Sequence, residues 1–274
     1  MLIFKMTDRL IKRYTVPDIF LKKNKSKIVS LTCYSAKVAE IIDQYADIIL
    51  VGDSMGMTLY GHKNTLSVTK QMLIEHGKAV VNHTKRSLIV VDLPFGTYEG
   101  SKEKAFEIAA EILSKTGANA VKLEGGVELS ETIKFLVNRG IPIMGHIGLM
   151  PQRINIKGKF IAQGKSPSDS KKIIKDAKSL SSAGVFSIVV EAVQESLGKL
   201  LTKSVKVPTI GIGAGKYCDG QILVTDDMLG LFNTFTPKFV KKYANLYSDI
   251  DNAIKNYQKE VLSGKFPSSK NIYK

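Results

Sequence analysis

Apolar and polar positions along this chain fall into two alternating rhythms. Short runs that are apolar at nearly every position lie at residues 28–32, 48–51, 88–92, 120–124, 141–145, 187–191, 209–212 and 221–224. Between them, residues 36–45, 68–84, 102–116, 127–139, 168–183 and 194–204 carry apolar side chains three and four apart, as in Phe106, Ala109, Ala110 and Leu113. The first rhythm predicts strands buried on both faces, the signature of a parallel sheet covered by helices. The second predicts amphipathic helices, several of which stop at a glycine (Gly117, Gly140, Gly184) suited to a helix C-terminus. Eight strands with helices between them predict a (β/α)8 TIM barrel, with a doubly wound open sheet as the competing arrangement.

The ends add to this frame. Residues 7–21 predict an amphipathic segment ahead of the first strand, serving as a plug at the barrel bottom or as an oligomer contact. Pro237 opens a pair of helical segments through residue 262, and residues 263–274 are expected to form a flexible tail. Without an internal repeat or low-complexity linker, residues 1–274 are expected to be one barrel domain.

Four of the strand-like runs lead into an acid: Asp53 after IILVG, Asp92 after LIVV, Glu124 after AVKL and Glu191 after SIVV. Parallel α/β folds place their active sites at the carboxyl ends of strands, so these four acids converge on one mouth. Their mutual repulsion calls for a positive partner, and short carboxylates at such positions suit Mg2+. Taken singly, Asp53, Asp92 or Glu124 reads better as a helix cap or a structural ion pair, and it is the set of three that points to a metal. Lys122 alternates with Glu124 and therefore points to the same side of its strand, where it would pair with the acids or with a substrate carboxylate. Glu191 ends an apolar run, and partial desolvation would raise its pKa toward the range of a general base. His146 follows IPIMG and fits a hydrogen-bond donor, a metal ligand or a packed core histidine. His62, His76 and His83 lack metal-site spacing, and GIGAG at 211–215 reads as a tight turn rather than a dinucleotide loop.

Composition narrows the class. Hydrophobic residues make up 44% and charged residues 24% of 274, ordinary for a globular chain with a large core. The net charge of +15 suggests a polyanion partner, but only five of the 40 basic residues are Arg. Phosphate and base readout favours Arg. The lysines are spread along the chain, and clusters such as Lys22, Lys23, Lys25 and Lys27 read as solvated surface, so no nucleic-acid partner is expected and a polyanion-binding protein ranks far behind an enzyme. Cys33 and Cys218 are far apart in sequence and are expected to be free thiols in a reducing compartment. No apolar run approaches a membrane span and no signal peptide is apparent, so a cytoplasmic location is expected.

The segments VGDSMGMTLYGH (51–62), VDLPFGTY (91–98), GANAVKLEGG (117–126), IPIMGHIGLMPQ (141–152), VVEAV (189–193), VPTIGIGAGKYCDGQILV (207–224) and TPKFVKKY (236–243) occur in one order over nearly the whole chain. Together they resemble the ketopantoate hydroxymethyltransferase family of pantothenate biosynthesis. The resemblance implies a barrel of the phosphoenolpyruvate/pyruvate type, usually a homodecamer, with one Mg2+ per subunit and 5,10-methylenetetrahydrofolate as co-substrate. It implies Asp53 and Asp92 as metal ligands and Glu124 as a third metal-linked carboxylate. Asp53, Ser54, Asp92, Lys122 and His146 would line the 3-methyl-2-oxobutanoate site, and Glu191 would accept its proton on the way to a metal-stabilised enolate. The chain departs from the family pattern at Ser35, Met150, Lys159, Gln194 and the C-terminal tail, positions that bear on the folate pocket. The alternative on the same barrel is another Mg-dependent lyase or mutase of oxoacids.

Overall fold

The computed structural model describes residues 12–158, 161–233 and 236–273. Eight parallel strands close into a barrel in chain order. They are β1 (Ile28–Thr32), β2 (Ile48–Val51), β3 (Leu88–Asp92), β4 (Ala120–Glu124), β5 (Ile143–Gly148), β6 (Ser187–Glu191), β7 (Thr209–Ile212) and β8 (Gly220–Leu223). Pairing of β1 with β8 removes the open-sheet alternative.

Alternation along each strand separates two cores. Residues of one parity, such as Val91, Val121, Leu123 and Ile188, pack outward with the helices. Those of the other parity, including Ile48, Leu50, Leu88, Val90, Ala120, Met144 and Val189, fill the barrel interior. Continuing the inner parity toward the carboxyl ends reaches Asp92, Lys122, Glu124, His146 and Glu191. The interior therefore turns from apolar to ionisable within two residues of the ends of β3, β4, β5 and β6, which is what places a reactive layer above a packed floor.

The helices form where the apolar periodicity predicts them. In Lys102–Thr116 the Ser101 hydroxyl accepts from the Lys104 amide, Gly117 ends the helix at φ 73°, and Ala105, Ala109, Ile112 and Thr116 are buried. The expected 127–139 helix divides into a 3-10 turn at Val127–Leu129 and a helix at Ser130–Val137. The fifth strand also differs from its expected 141–145 span. Pro142 has no amide to give the ladder, so pairing starts at Ile143, and it runs on through Gly148, where the next amide, Leu149, donates to Glu191 O at 2.9 Å. His146 consequently sits inside β5.

Below the strands the short helix Val16–Phe20, opened by a Thr15–Asp18 capping box, inserts Ile19 into the interior cluster with Ile28 and Ile48. This is the plug expected from 7–21; positions 7–11 lie outside the described residues, as does Lys159. The lysines read as solvated are partly otherwise. Lys22 pairs with Asp47 at 3.0 Å and Lys23 with Asp219 at 2.8 Å, and both aspartates are nearly buried. These pairs tie the entering chain to loops at the strands' amino ends.

The chain divides into two compact units, Met1–Val224 and Thr225–Lys274, so the barrel expected over 1–274 occupies the first. In the second unit a short helix, Thr225–Met228, precedes Leu246–Leu262, where one long helix replaces the expected pair. That helix buries no residue and exposes Tyr247, Ile250, Ile254, Tyr257 and Val261 at three- and four-residue spacing. The segment read as a tail folds back locally: the amides of Lys265 and Phe266 donate to Glu260 O, and the Phe266 ring meets Tyr257.

Candidate active site

Parallel register decides which acids meet. Asp92 on β3 is level with Lys122 on β4, and Glu124 is level with His146 on β5. Both pairs face inward. The Lys122 ammonium lies 2.8 Å from Asp92 Oδ1, with both side chains almost fully buried. His146 bridges two acids, its Nδ1 3.5 Å from Glu124 Oε1 and its Nε2 3.1 Å from Glu191 Oε2. Lys122 Nζ and His146 Nδ1 are 3.4 Å apart. Asp53 lies past Gly52, where the chain leaves β2, and its amide donates to Asp92 Oδ2 at 2.9 Å. One unbroken chain of contacts thus links Asp53, Asp92, Lys122, His146, Glu124 and Glu191.

Two residues with no role read from sequence complete this layer. Gln152, in the turn after β5, is 3% exposed. Its Nε2 donates to Asp53 Oδ2 at 2.8 Å and to Leu93 O at 3.0 Å, while its amide donates to Glu124 Oε2 at 3.0 Å. Tyr98 donates its hydroxyl to Gln152 Oε1 at 2.5 Å and accepts the Glu124 amide at 3.2 Å. The one signal for Gln152 was a polar side chain in the otherwise apolar IGLMPQ stretch. Ser54 stands beside the cluster, its hydroxyl 2.7 Å from the Tyr34 hydroxyl.

The cluster's electrostatics follow from burial. Burial, followed by the charges of Asp92 and Glu124, pushes Asp53 well above the ordinary carboxylate range. Burial also raises Asp92, against the pull of Lys122. For Glu124 burial is outweighed by His146 and Lys122, and its value falls. Burial works against the charged form of Lys122, yet the charges of Asp92, Glu124 and Asp53 keep it above its usual value. His146 is likewise opposed by burial and by Lys122, but its contacts with Glu124 and Glu191 lift it to about 9. With His146 charged and all four carboxylates ionised, the acids exceed the two cations by two negative charges, the repulsion that helps raise Asp53 and Asp92.

That excess matches a divalent cation. Glu124 Oε1 and Asp92 Oδ1 are buried without a hydrogen bond, each with only an ion pair, to His146 and to Lys122 respectively. Among the described residues no group of three or more His, Cys, Asp or Glu side chains closes on a cation as a ready-made cage. Mg2+ does not need one, since it is commonly held by one or two carboxylates and keeps waters for a substrate to displace. The donor set fits.

A family model described as ketopantoate hydroxymethyltransferase matches residues 13–269. The chain belongs to the ketopantoate hydroxymethyltransferase family. Members named 3-methyl-2-oxobutanoate hydroxymethyltransferase include one from Bartonella tribocorum, 51% identical over 97% of this chain and 98% of that protein. Another, from Phenylobacterium zucineum, is 48% identical over 96% and 95%. Solved structures share the barrel at low identity. Phosphonopyruvate hydrolase with oxalate and Mg++ matches at TM-score 0.61 and 11% identity over 94% of this chain and 93% of that one. A 2,3-dimethylmalate lyase of the PEP mutase/isocitrate lyase superfamily matches at 0.60 and 12% over 93% and 89%. No helix among the described residues of this hydroxymethyltransferase-family chain is long and apolar enough to cross a membrane.

Proposed function

We propose that the chain transfers a hydroxymethyl group from 5,10-methylenetetrahydrofolate to 3-methyl-2-oxobutanoate, giving 2-dehydropantoate. The observation that carries the reading is the joined set Asp53–Asp92–Lys122–His146–Glu124–Glu191 at the barrel mouth of a chain in this family. Asp53 and Asp92 would hold Mg2+, with Glu124 as the further linked carboxylate. When bound, Mg2+ supplies Lewis acidity that stabilises charge developing on the keto oxygen of the oxoacid.

The chain's own groups do the rest. Lys122 and the Ser54 hydroxyl bind the oxoacid carboxylate, Lys122 by charge and Ser54 by a hydrogen bond oriented by Tyr34. Glu191 takes the proton from C3, the carbon that then bonds to the methylene carbon of the folate; water replaces the folate nitrogens on that carbon, which gives the hydroxymethyl group and releases tetrahydrofolate. His146 Nε2, 3.1 Å away, holds the Glu191 carboxylate in place. The packed floor beneath keeps water from the reacting carbon on that side.

Exchange of the C3 proton of 3-methyl-2-oxobutanoate with deuterated water tests metal, base and substrate together. Exchange with Mg2+, abolished by chelator, and product formation only with methylenetetrahydrofolate are expected. Turnover of the oxoacid without folate would return the choice to a lyase or mutase, and exchange indifferent to chelator would overturn the metal in either reading. The subunits are further read as a homo-oligomer, a decamer by family, located in the cytoplasm. The exposed apolar stripe on Leu246–Leu262 supports a protein–protein contact, and light scattering of the purified chain tests the assembly.

A further inference from the structure

Each of the three metal-linked carboxylates has one oxygen tied by an uncharged N–H group. Asp53 Oδ2 takes Gln152 Nε2, Glu124 Oε2 takes the Gln152 amide, and Asp92 Oδ2 takes the Asp53 amide. Gln152 supplies two of the three donors from a single residue in a turn. Neutral donors occupy lone pairs without cancelling charge, so they orient the acids and leave the negative excess intact. A lysine in the same place would neutralise part of that excess, and a glutamate would add to it.

The orientation of the Gln152 amide is itself decided. Flipped, Oε1 would face Asp53 Oδ2 and Leu93 O, two acceptors against a third. Tyr98, 1% exposed, enforces the observed orientation by donating to Oε1. Its oxygen accepts the Glu124 amide at 3.2 Å, and of the two acceptors open to its proton Gln152 Oε1 is much the nearer, Glu124 O lying at 3.3 Å. The relay Glu124 N–H to Tyr98 O–H to Gln152 to Asp53 therefore begins and ends on proposed metal-linked residues.

Resting on the Mg2+ reading above, we infer that Gln152, locked by Tyr98, is a positioning residue that turns Asp53 and Glu124 so that one oxygen of each stays open to the cation. It touches neither substrate nor reacting atoms and acts through the carboxylates alone.

The test replaces Gln152→Met, which keeps size and the backbone amide but removes the side-chain donor, and Tyr98→Phe, which removes only the lock. Mn2+ affinity is measured on the full chain by titration calorimetry and by electron paramagnetic resonance, with Mg2+ competition and circular dichroism as a fold check. Gln152→Met weakens Mn2+ binding by roughly 10- to 100-fold, the usual effect of losing an outer partner of a metal ligand. Tyr98→Phe weakens it by about 5-fold, one neutral hydrogen bond. The Mg2+ concentration for half-maximal C3 exchange rises in parallel, and saturating Mg2+ restores the exchange rate, which a merely structural defect would not allow. Folded variants binding Mn2+ within twofold of wild type overturn the inference, as does lost exchange that saturating Mg2+ leaves unrestored. Should Gln152→Met fail to fold, Tyr98→Phe decides by the same criteria. A wild-type chain that binds no Mn2+ overturns the metal reading itself and this inference with it.

Discussion

Replacing Lys122 by Met probes the electrostatic balance of the barrel mouth. Methionine keeps most of the side chain's bulk and removes the ammonium 2.8 Å from Asp92 Oδ1. Breaking one side of a buried ion pair costs about 3–5 kcal/mol, because the other charge is left behind. The site has a cheaper response, which is to bind a proton on Asp92. At pH 7 that costs at most the free energy of protonating a carboxylate with an ordinary value of 3.8, about 4 kcal/mol. At pH 5 the same ceiling falls to about 2 kcal/mol. The folded-state pKa of the acid is raised in the variant, so its stability relative to wild type improves as pH falls. Urea unfolding of both proteins in chelator between pH 5 and pH 8 reads this directly. A penalty of about 3–4 kcal/mol at pH 7 that shrinks by about 2 kcal/mol at pH 5 is expected. A penalty independent of pH, or a variant as stable as wild type at pH 7, would refute the account of Lys122 as the charge that keeps Asp92 ionised.

Other perturbations address separate links. Glu191→Gln removes the proposed proton acceptor while keeping its shape, so C3 exchange should drop by at least ~100-fold with Mn2+ affinity little changed; wild-type exchange would remove Glu191 from the base role. At Gly148, φ is 93° and an added Cβ would stand 2.3 Å from Glu191 O. Gly148→Ala should therefore displace the end of β6, cost about 2–4 kcal/mol in unfolding assays and depress exchange, whereas an unchanged melting curve would contradict the packing described. Asp43 accepts the amides of Lys85, Arg86 and Ser87, and these bonds overcome burial to hold its pKa below the usual range. Its contribution is present above about pH 3.8 and lost as pH falls through the lower folded value. Asp43→Ala should cost about 3 kcal/mol at pH 7 and progressively less as pH falls below 3.8, as read by urea midpoints.

Much of this architecture was legible because burial leaves a mark on composition. Leu88–Asp92 and Ala120–Glu124 are apolar on both faces, and only a covered parallel strand needs that. What was not legible depends on register between strands. Nothing local to Asp92 says that Lys122 will lie level with it, or that His146 will be held between Glu124 and Glu191. The end of β5 was lost for a related reason: Gly145, His146 and Gly148 interrupt the hydrophobic run, although their backbone continues the ladder. Gln152 escaped notice because its task comes from a turn folding back over Asp53, 99 residues earlier. Lys22 and Lys23 were misjudged since a charge in sequence carries no trace of partners as distant as Asp219.

Ile19 closes the cylinder from beneath, with consequences for traffic. A chamber with one door imposes an order on its guests. On the proposed reading, a small oxoacid seated beside Lys122 would enter before any larger partner and depart after it. Sequence of arrival is then a matter of geometry, and tighter binding by the second guest cannot reverse it.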